Sequence, residues 1–185
     1  MTWVNPSNLL TVARLLMAAP VIWAILERRF TLALALLFLA GLSDALDGPL
    51  ARRRQEVTRL GARLDPIADK VLLSGSYLAL WAADVVPGWL VALVFGRDLL
   101  ILAGVGCLMA FTPLRDFAPS LWGKVSTVVQ VVAGVTFLTA AACPWPALGR
   151  LASLALWAVA AATLWSGIHY ACQAVDRLRR AGPAG

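Results

Sequence analysis

The chain has 185 residues, of which 61% are hydrophobic and 14% are charged, with a formal net charge of +6 and a mean hydropathy of +0.79. Soluble globular domains are about 45–50% apolar, so this composition excludes an ordinary soluble domain and indicates a helical membrane protein. The positive charge suits basic loops at an anionic leaflet. Nucleic-acid binding is excluded as the explanation, because no soluble basic domain exists to carry it.

Six apolar segments, taken in chain order, each approach the roughly 20 residues that a membrane-spanning helix needs. The first follows Pro6 and Ser7, a candidate N-cap, and we expect it to be retained, since no positive n-region marks a cleaved signal peptide. Turn signals such as Pro87-Gly88 separate the later segments. The predicted spans are about 8–26, 31–53, 60–83, 89–111, 122–142 and 148–173. The predicted fold class is all-α, an integral membrane bundle of six transmembrane helices.

The basic residues are concentrated on one side of this bundle. By the positive-inside rule that side is cytoplasmic, which places both termini in the cytoplasm. We expect the membrane to be a bacterial inner membrane. We expect one domain over residues 1–176 and a basic, disordered tail over residues 177–185. The basic residues on this side are Arg52, Arg53, Arg54, Arg59, Arg63, Arg115, Lys124, Arg177, Arg179 and Arg180.

Four aspartates lie near the cytoplasmic ends of the second and third spans. Asp44 and Asp47 are three residues apart and Asp65 and Asp69 are four apart, so each pair shares one helix face. A short turn makes the two spans antiparallel neighbours, and the pairs can then face each other across a cytoplasm-facing polar cavity. Small residues on these faces leave space for a flat group: Gly48, Ala51 and Gly61.

Carboxylates this close together repel, and each costs about 2.5–3.5 kcal/mol at the centre of a membrane helix. A cation must offset this cost, and an all-oxygen ligand set favours Mg²⁺ or Mn²⁺, ions that bind phosphate-bearing substrates. Two alternatives stay open. The aspartates could form a satisfied ionic belt with nearby basic residues, or they could line a proton or cation pathway. The candidate belt partners are Arg52, Arg59, Arg63 and Lys70.

The motif resembles the signature of the CDP-alcohol phosphatidyltransferase family at every fixed position and gap. It reads Asp44-x2-Asp47-Gly48-x2-Ala51-Arg52-x8-Gly61-x3-Asp65-x3-Asp69. Three further stretches are similar to phosphatidylglycerophosphate synthases and mitochondrial-type cardiolipin synthases: Asp65-Pro66-Ile67-Ala68-Asp69-Lys70, Gly96-Arg97-Asp98 and Gly123-Lys124-Val125-Ser126-Thr127. Near the N-terminus, Asn8-x2-Thr11-x2-Arg14 resembles the opening of the family.

The resemblance implies transfer of a phosphatidyl group from CDP-diacylglycerol to an alcohol, with release of CMP, by a protein that is usually a homodimer. It also implies one or two divalent metals. Asp69 would be the general base that takes the proton of the acceptor hydroxyl. The implied metal ligands are Asp44, Asp47, Asp65 and Asp69, and the implied cytidine nucleotide pocket consists of Gly48, Ala51, Arg52 and Gly61.

An acceptor pocket requires residues of its own. Arg97, Lys124 and Arg115 lie towards the cytoplasmic side, and cations there suit an anionic acceptor such as glycerol 3-phosphate or phosphatidylglycerol. Alternatively, they only satisfy the positive-inside bias or pair with Asp98 and Asp116.

Asn8, Thr11 and Arg14 share one face of the first span at three-residue steps. Asn8 and Thr11 could close the nucleotide side of the cavity or could make helix–helix hydrogen bonds. His169 is assigned no role.

Three classes of function remain to be weighed. A phosphatidyltransferase that uses glycerol 3-phosphate is the leading hypothesis, and cardiolipin synthesis from phosphatidylglycerol is the second. A cation or proton transporter is the alternative of another class. A prenyl-transferring membrane enzyme would require more spans and different aspartate motifs.

Overall fold

The computed structural model describes residues 6–53, 61–111 and 121–181, with side chains over residues 16–42, 70–104, 121–173 and 175–176. These residues form six α-helices and no strand, so the predicted all-α class is confirmed for the part described. The helices are α1 (Pro6–Leu26), α2 (Phe30–Arg53), α3 (Gly61–Ala82), α4 (Gly88–Phe111), α5 (Leu121–Ala142) and α6 (Pro146–Ala181).

Every predicted helix end except the last lies within two residues of the observed one. The exception is α6, which continues beyond Gln173 to Ala181 and so includes residues 177–181 of the segment expected to be a disordered tail. The prediction followed hydropathy, and the apolar span of the described residues does end at Gln173, but the helix continues past it. Residues 174–181 contain neither glycine nor proline, and the good helix formers among them extend the helix until the Gly182-Pro183 sequence.

Two helices among the described residues are long and apolar enough to cross a bilayer, Leu121–Ala142 and Pro146–Gln173. Two shorter apolar segments, Leu16–Leu26 and Phe30–Leu42, accompany them. Large apolar side chains on these helices are exposed, including Phe38 at 71%. These features support membrane association, while the number of spans stays a prediction.

The chain folds into two compact units. The first unit comprises residues Met1–Val86 and Phe137–Leu148, and the second comprises Pro87–Thr136 and Gly149–Gly185. This division into units does not test the single domain expected over residues 1–176, which stays a prediction.

In the first unit, α1 packs against both α2 and α3. At Gly75 of α3 an added Cβ would lie 2.5 Å from Ile22 Cδ1. The glycine therefore leaves room for the end of the Ile22 side chain of α1. The core also contains the Tyr77 and Phe137 rings, which meet edge to face at 6.4 Å. The two helices that carry the aspartate motif, α2 and α3, therefore both pack against α1.

Two helices of the first unit end in the same way, on a residue in the left-handed region. Arg28 has φ 56° after α1, and Asp84 has φ 60° after α3. At each end both backbone bonds of a Schellman motif are present. After α1 they run from Arg28 N to Ile25 O and from Arg29 N to Ala24 O, and after α3 from Asp84 N to Trp81 O and from Val85 N to Leu80 O. The Arg28 and Asp84 side chains then bond to each other, with Nη2 to Oδ2 at 2.8 Å.

We expect Arg28→Gly to be more stable than Arg28→Ala by about 1 kcal/mol. Both variants lose the exposed ion pair, which is worth roughly 0.2–1 kcal/mol. Only glycine also removes the steric cost of a left-handed residue, about 1–2 kcal/mol. Thermal unfolding of the two variants in detergent checks the difference. Equal stabilities would show that the backbone at residue 28 is unstrained.

In the second unit, ring and side-chain contacts define the register of three helices. Contacts of Trp89 with Trp157 and of Arg97 with Ser166 make α4 and α6 parallel neighbours. Contacts of Trp122 with Trp165 and of Gln130 with Thr163 join α5 to α6. Since the residue number falls on α6 as it rises on α5, that second pair is antiparallel. The start of α5 therefore lies beside the middle of α4.

Candidate functional site

All four aspartates of the motif lie inside helices. Asp44 and Asp47 belong to α2, and Asp65 and Asp69 belong to α3. Their spacings of three and four residues therefore place each pair on one helix face, as predicted. The side chains of the motif lie outside the described residues, so the facing of the two pairs stays a prediction.

The small and basic motif residues also occupy helical positions. Gly48, Ala51 and Arg52 lie in the last turns of α2, and Gly61 is the first residue of α3. Among the described side chains, no group of three or more His, Cys, Asp or Glu residues forms a metal site. The side chains of the four motif aspartates are not among those described. They remain the donors whose chemistry fits a hard divalent cation.

Ser76 extends the polar face of α3. It lies seven residues after Asp69 on nearly the same side of the helix, about 10 Å further along. The residue is 8% exposed, and its Oγ has no hydrogen-bond partner among the described residues. A buried hydroxyl without a partner costs about 1–3 kcal/mol. Sequence analysis missed Ser76 because a single serine in an apolar run is ordinary in such a helix.

Arg97 lies at mid-height in α4 and is 9% exposed. Its Nη1 donates to Asp98 Oδ1 at 2.9 Å. Its Nε and Nη2 both donate to Ser166 Oγ of α6, at 3.2 and 2.8 Å. The guanidinium also lies 5.8 Å from the centre of the Tyr170 ring, within cation–π range. Arg97 is therefore not a surface charge, and the predicted alternative of pairing with Asp98 is observed.

A polar layer surrounds this arginine. At the same level, buried polar residues come from α4, α5 and α6, whereas the buried residues nearer the start of α4 are apolar, as at Leu90 and Val94. Gln130 Nε2 donates to Thr163 Oγ1 at 3.3 Å across α5 and α6. The polar layer consists of Arg97, Asp98, Ser126, Gln130, Thr163 and Ser166.

Gly123 allows the first turn of α5 to approach the polar layer. A Cβ at this position would lie 2.8 Å from Tyr170 Oη and 3.3 Å from Arg97 Nη2. The first distance is closer than side chains tolerate, so residue 123 must be glycine for Tyr170 and Arg97 to keep these positions. This gives a packing reason for the glycine that the sequence singled out only by its resemblance to a motif.

The structure describes the other predicted binding residues only in part. Lys124 lies in the first turn of α5 with an exposed side chain. Arg115 lies outside the described residues, and so do the side chains of Asn8 and Thr11, whose backbone belongs to α1. His169, which was assigned no role, lies 3.0 Å from Gln173 Nε2 one turn along α6.

Sequence reasoning missed the partners of Arg97 on α6. Thr163, Ser166 and Tyr170 follow at steps of three and four, so they share one face of an otherwise apolar helix. Ser126 and Gln130 repeat that spacing on α5. The periodicity was available in the sequence, and it would have identified a polar face on each of α5 and α6, though not the helix that each face contacts.

Comparison with known proteins supports the resemblance found in the motif. A sequence model of the CDP-alcohol phosphatidyltransferase family matches residues 4–165. The chain is 34% identical to the CDP-diacylglycerol--glycerol-3-phosphate 3-phosphatidyltransferase of Bacillus subtilis, over 90% of this chain and 93% of that protein. It is 33% identical to the cardiolipin synthase (CMP-forming) of Streptomyces coelicolor, over 96% of this chain and 85% of that one.

Animal relatives are longer. The rat cardiolipin synthase (CMP-forming) is 33% identical over 96% of this chain, but the match covers 64% of the rat protein. The match to the Drosophila melanogaster protein named probable cardiolipin synthase covers 51% of that protein. The chain thus spans about half to two thirds of the length of these animal relatives. The names of the bacterial relatives support the predicted enzyme type, a phosphatidyltransferase.

Proposed function

This chain belongs to the CDP-alcohol phosphatidyltransferase family, and on that premise we propose that it transfers a phosphatidyl group from CDP-diacylglycerol to an alcohol and releases CMP. The observation that carries the proposal is the complete aspartate motif at helical spacing on α2 and α3. Helical spacing gives each pair of carboxylates a common face, which a shared divalent cation requires. A cation or proton transporter has no need of the small residues interleaved with those carboxylates.

Glycerol 3-phosphate is the acceptor we propose first. The Bacillus subtilis relative, named for that acceptor, matches over 93% of its own length. Phosphatidylglycerol is the second candidate, because the Streptomyces coelicolor cardiolipin synthase matches over 96% of this chain. Both acceptors are anions. A buried arginine is suited to either, and we assign Arg97 and Lys124 to acceptor binding, with Arg115 as a further candidate.

The proposed reaction is an in-line displacement at phosphorus. The acceptor hydroxyl oxygen attacks the phosphorus that bears the diacylglycerol, and the bond from that phosphorus to the oxygen of CMP breaks. Asp69 takes the hydroxyl proton, a contribution of roughly 10²–10⁴-fold for a well-placed base. Most of the remaining catalysis in phosphoryl transfer comes from positioning and charge stabilisation. The chain supplies this through Arg52 towards a phosphate oxygen and through Arg97 towards the acceptor.

The carboxylates Asp44, Asp47, Asp65 and Asp69 are the residues that would hold Mg²⁺ or Mn²⁺. When bound, such an ion neutralises diphosphate charge and stabilises the leaving CMP. Four aspartates without His or Cys nearby suit these ions and not zinc.

We further propose that all six helices cross a bacterial inner membrane, with both termini and the aspartate motif on the cytoplasmic side. The excess of Lys and Arg at those helix ends supports this orientation. The lipid tails of the donor then stay in the bilayer while its head group enters a polar cavity between α2 and α3. By analogy with the family we expect a homodimer.

An acceptor panel tests the proposal. Purified protein in proteoliposomes receives CDP-diacylglycerol labelled in the cytidine, with Mg²⁺ or Mn²⁺, and glycerol 3-phosphate, phosphatidylglycerol or inositol phosphate. We expect labelled CMP only with an accepted alcohol, and its loss when EDTA removes the metal. No CMP with any acceptor, together with cation or proton flux across the vesicles, would establish the transporter instead.

Arg52 should contribute more to activity than Arg53. On a helix with 100° per residue, Arg53 lies about 170° from the centre of the face formed by the four motif positions of α2, whereas Arg52 lies about 90° from it. The position of Arg52 is therefore nearer to that face than the position of Arg53. We expect Arg52→Ala to lower kcat/KM at least 10-fold and Arg53→Ala less than twofold, measured by CMP release. Similar losses in the two variants would contradict this placement.

A further inference from the structure

We infer that Ser166 is a positioning residue, which holds the Arg97 guanidinium in the orientation that binds the acceptor. The inference rests on the proposed function, in which Arg97 contacts an anionic acceptor. Ser166 lies 69 residues from Arg97 in sequence and outside the motif. Its assigned role is to act through Arg97, without touching substrate.

The geometry at Ser166 fixes the plane of the guanidinium. Arginine has five N–H donors in a planar fork. One oxygen, Ser166 Oγ, accepts from both Nε at 3.2 Å and Nη2 at 2.8 Å, and so occupies one edge of the fork. Asp98 accepts from Nη1 at 2.9 Å. Among the described residues these contacts use three of the five donors. Within the part of the chain that the structure describes, one N–H on Nη1 and one on Nη2 are then left to receive an anion.

Because these groups are buried, water cannot replace a hydrogen bond that is lost. Ser166 is 0% exposed, and the Arg97 and Asp98 side chains are 8% and 11% exposed. In such surroundings hydrogen bonds to a charged group are strong, and a donor that loses its acceptor finds no water to replace it. Without the Ser166 hydroxyl, two N–H groups of Arg97 lose their acceptor. The guanidinium then turns to recover one, and the two donors reserved for the acceptor move with it.

Tyr170 and Gly123 limit the movement of Arg97 on its other sides. The Tyr170 ring lies 5.8 Å from the guanidinium carbon. The missing side chain at Gly123 leaves room for Tyr170 Oη and for Arg97 Nη2 at once. Arg97 is therefore enclosed by one hydroxyl, one carboxylate, one ring and one glycine. Of these, the hydroxyl alone contacts the Nε edge.

Thr163 offers a matched control for the loss of a buried hydroxyl. It lies one turn before Ser166 on the same face of α6, is also 0% exposed, and accepts from Gln130 Nε2 at 3.3 Å. Ser166→Ala and Thr163→Ala each remove one buried hydrogen-bond acceptor between helices. Only Ser166→Ala changes the surroundings of Arg97. A purely structural role predicts the same kinetic result for both variants.

The experiment measures KM separately for the acceptor and for CDP-diacylglycerol in the CMP-release assay. For Ser166→Ala we expect the KM of the acceptor to rise about 10- to 100-fold, from the loss of hydrogen bonds to a charged group. We expect the KM of CDP-diacylglycerol to change less than twofold. Ser166→Thr, which keeps the hydroxyl, should return the acceptor KM towards the native value. Thr163→Ala should leave both KM values within twofold.

Arg97→Gln, in the same assay, separates two kinds of failure. If Arg97→Gln leaves the acceptor KM unchanged, Arg97 does not bind the acceptor, and both its assignment and this inference fail. If Arg97→Gln raises that KM while Ser166→Ala behaves like Thr163→Ala, the inference alone is overturned. If the native protein releases no CMP with any acceptor, the proposed function itself fails.

A second pair of variants covers the case in which Ser166→Ala does not fold, judged by size exclusion in detergent. The Cβ of Gly123→Ala would lie 2.8 Å from Tyr170 Oη and 3.3 Å from Arg97 Nη2, so both groups must move, whereas the Cβ of Gly167→Ala would make an ordinary contact with Arg97 Cγ at 3.8 Å. We expect Gly123→Ala to raise the acceptor KM and Gly167→Ala to leave it within twofold. Equal acceptor KM values in this pair would overturn the inference.

Discussion

Asp69→Asn abolishes phosphatidyl transfer while CDP-diacylglycerol still binds: this is the largest effect that the proposed mechanism predicts. The substitution keeps the size of the side chain and removes the basic oxygen that takes the hydroxyl proton. We expect kcat to fall by roughly 10²–10⁴-fold. Donor binding is expected to weaken far less, because three carboxylates remain to hold the cation. Single-turnover CMP release and equilibrium binding of labelled CDP-diacylglycerol provide the two measurements.

Asp84→Asn is the matched control for that variant. Asp84 undergoes the same chemical change just after the opposite end of α3, is exposed, and sits at a left-handed position that asparagine also tolerates. Its activity should equal that of the native protein. Lost donor binding with normal residual turnover in Asp69→Asn would contradict the assignment of Asp69 as the base.

Asp98→Ala should lower the free energy of unfolding by about 3–5 kcal/mol, because it leaves the buried Arg97 without its counter-charge. For a chain of this size we expect Tm to fall by roughly 10 °C in detergent. The side chains of the pair are only 8% and 11% exposed, so solvent compensates little of the loss. Thermal unfolding monitored by circular dichroism measures the shift.

The double variant Arg97→Met/Asp98→Ala separates stability from acceptor binding. Apolar replacements for a buried ion pair are often neutral, so most of the lost stability should return. Acceptor binding should not return, because the cation is absent. A double variant as unstable as Asp98→Ala would mean that the hydrogen bonds from Arg97 to Ser166 contribute to stability beyond the neutralisation of charge. A double variant with a native acceptor KM would remove Arg97 from the acceptor site.

The helices were predictable because their ends are marked by residues with local effects. Pro87-Gly88 and the proline-containing turn at residues 143–146 appear in the sequence; α4 and α6 begin close to them, and α5 ends close to the second. The end of α6 was not predicted, since the criterion was hydropathy and arginines are good helix formers. The left-handed residues Arg28 and Asp84 could not be expected either, because glycine usually occupies that position.

The site was predictable in part, for a similar reason. The aspartates are close in sequence, and a spacing of three or four residues implies a shared helix face before any tertiary structure is known. The contact between Arg97 and Ser166 joins residues 69 positions apart. It depends on the register of α4 against α6, which no local pattern specifies. The sequence thus predicted a charged candidate at residue 97 but not its hydroxyl partner.

The pairing of Arg97 with an adjacent residue has a consequence for biogenesis. An arginine at membrane depth costs about 2.5–3.5 kcal/mol on the insertion scale. Asp98 leaves the ribosome with Arg97, whereas Ser166 follows 69 residues later. If α4 inserts as proposed, the carboxylate is therefore the neutralising partner during early insertion. The final orientation of the guanidinium then depends on α6, so the acceptor site can be completed only after the last helix has been synthesised.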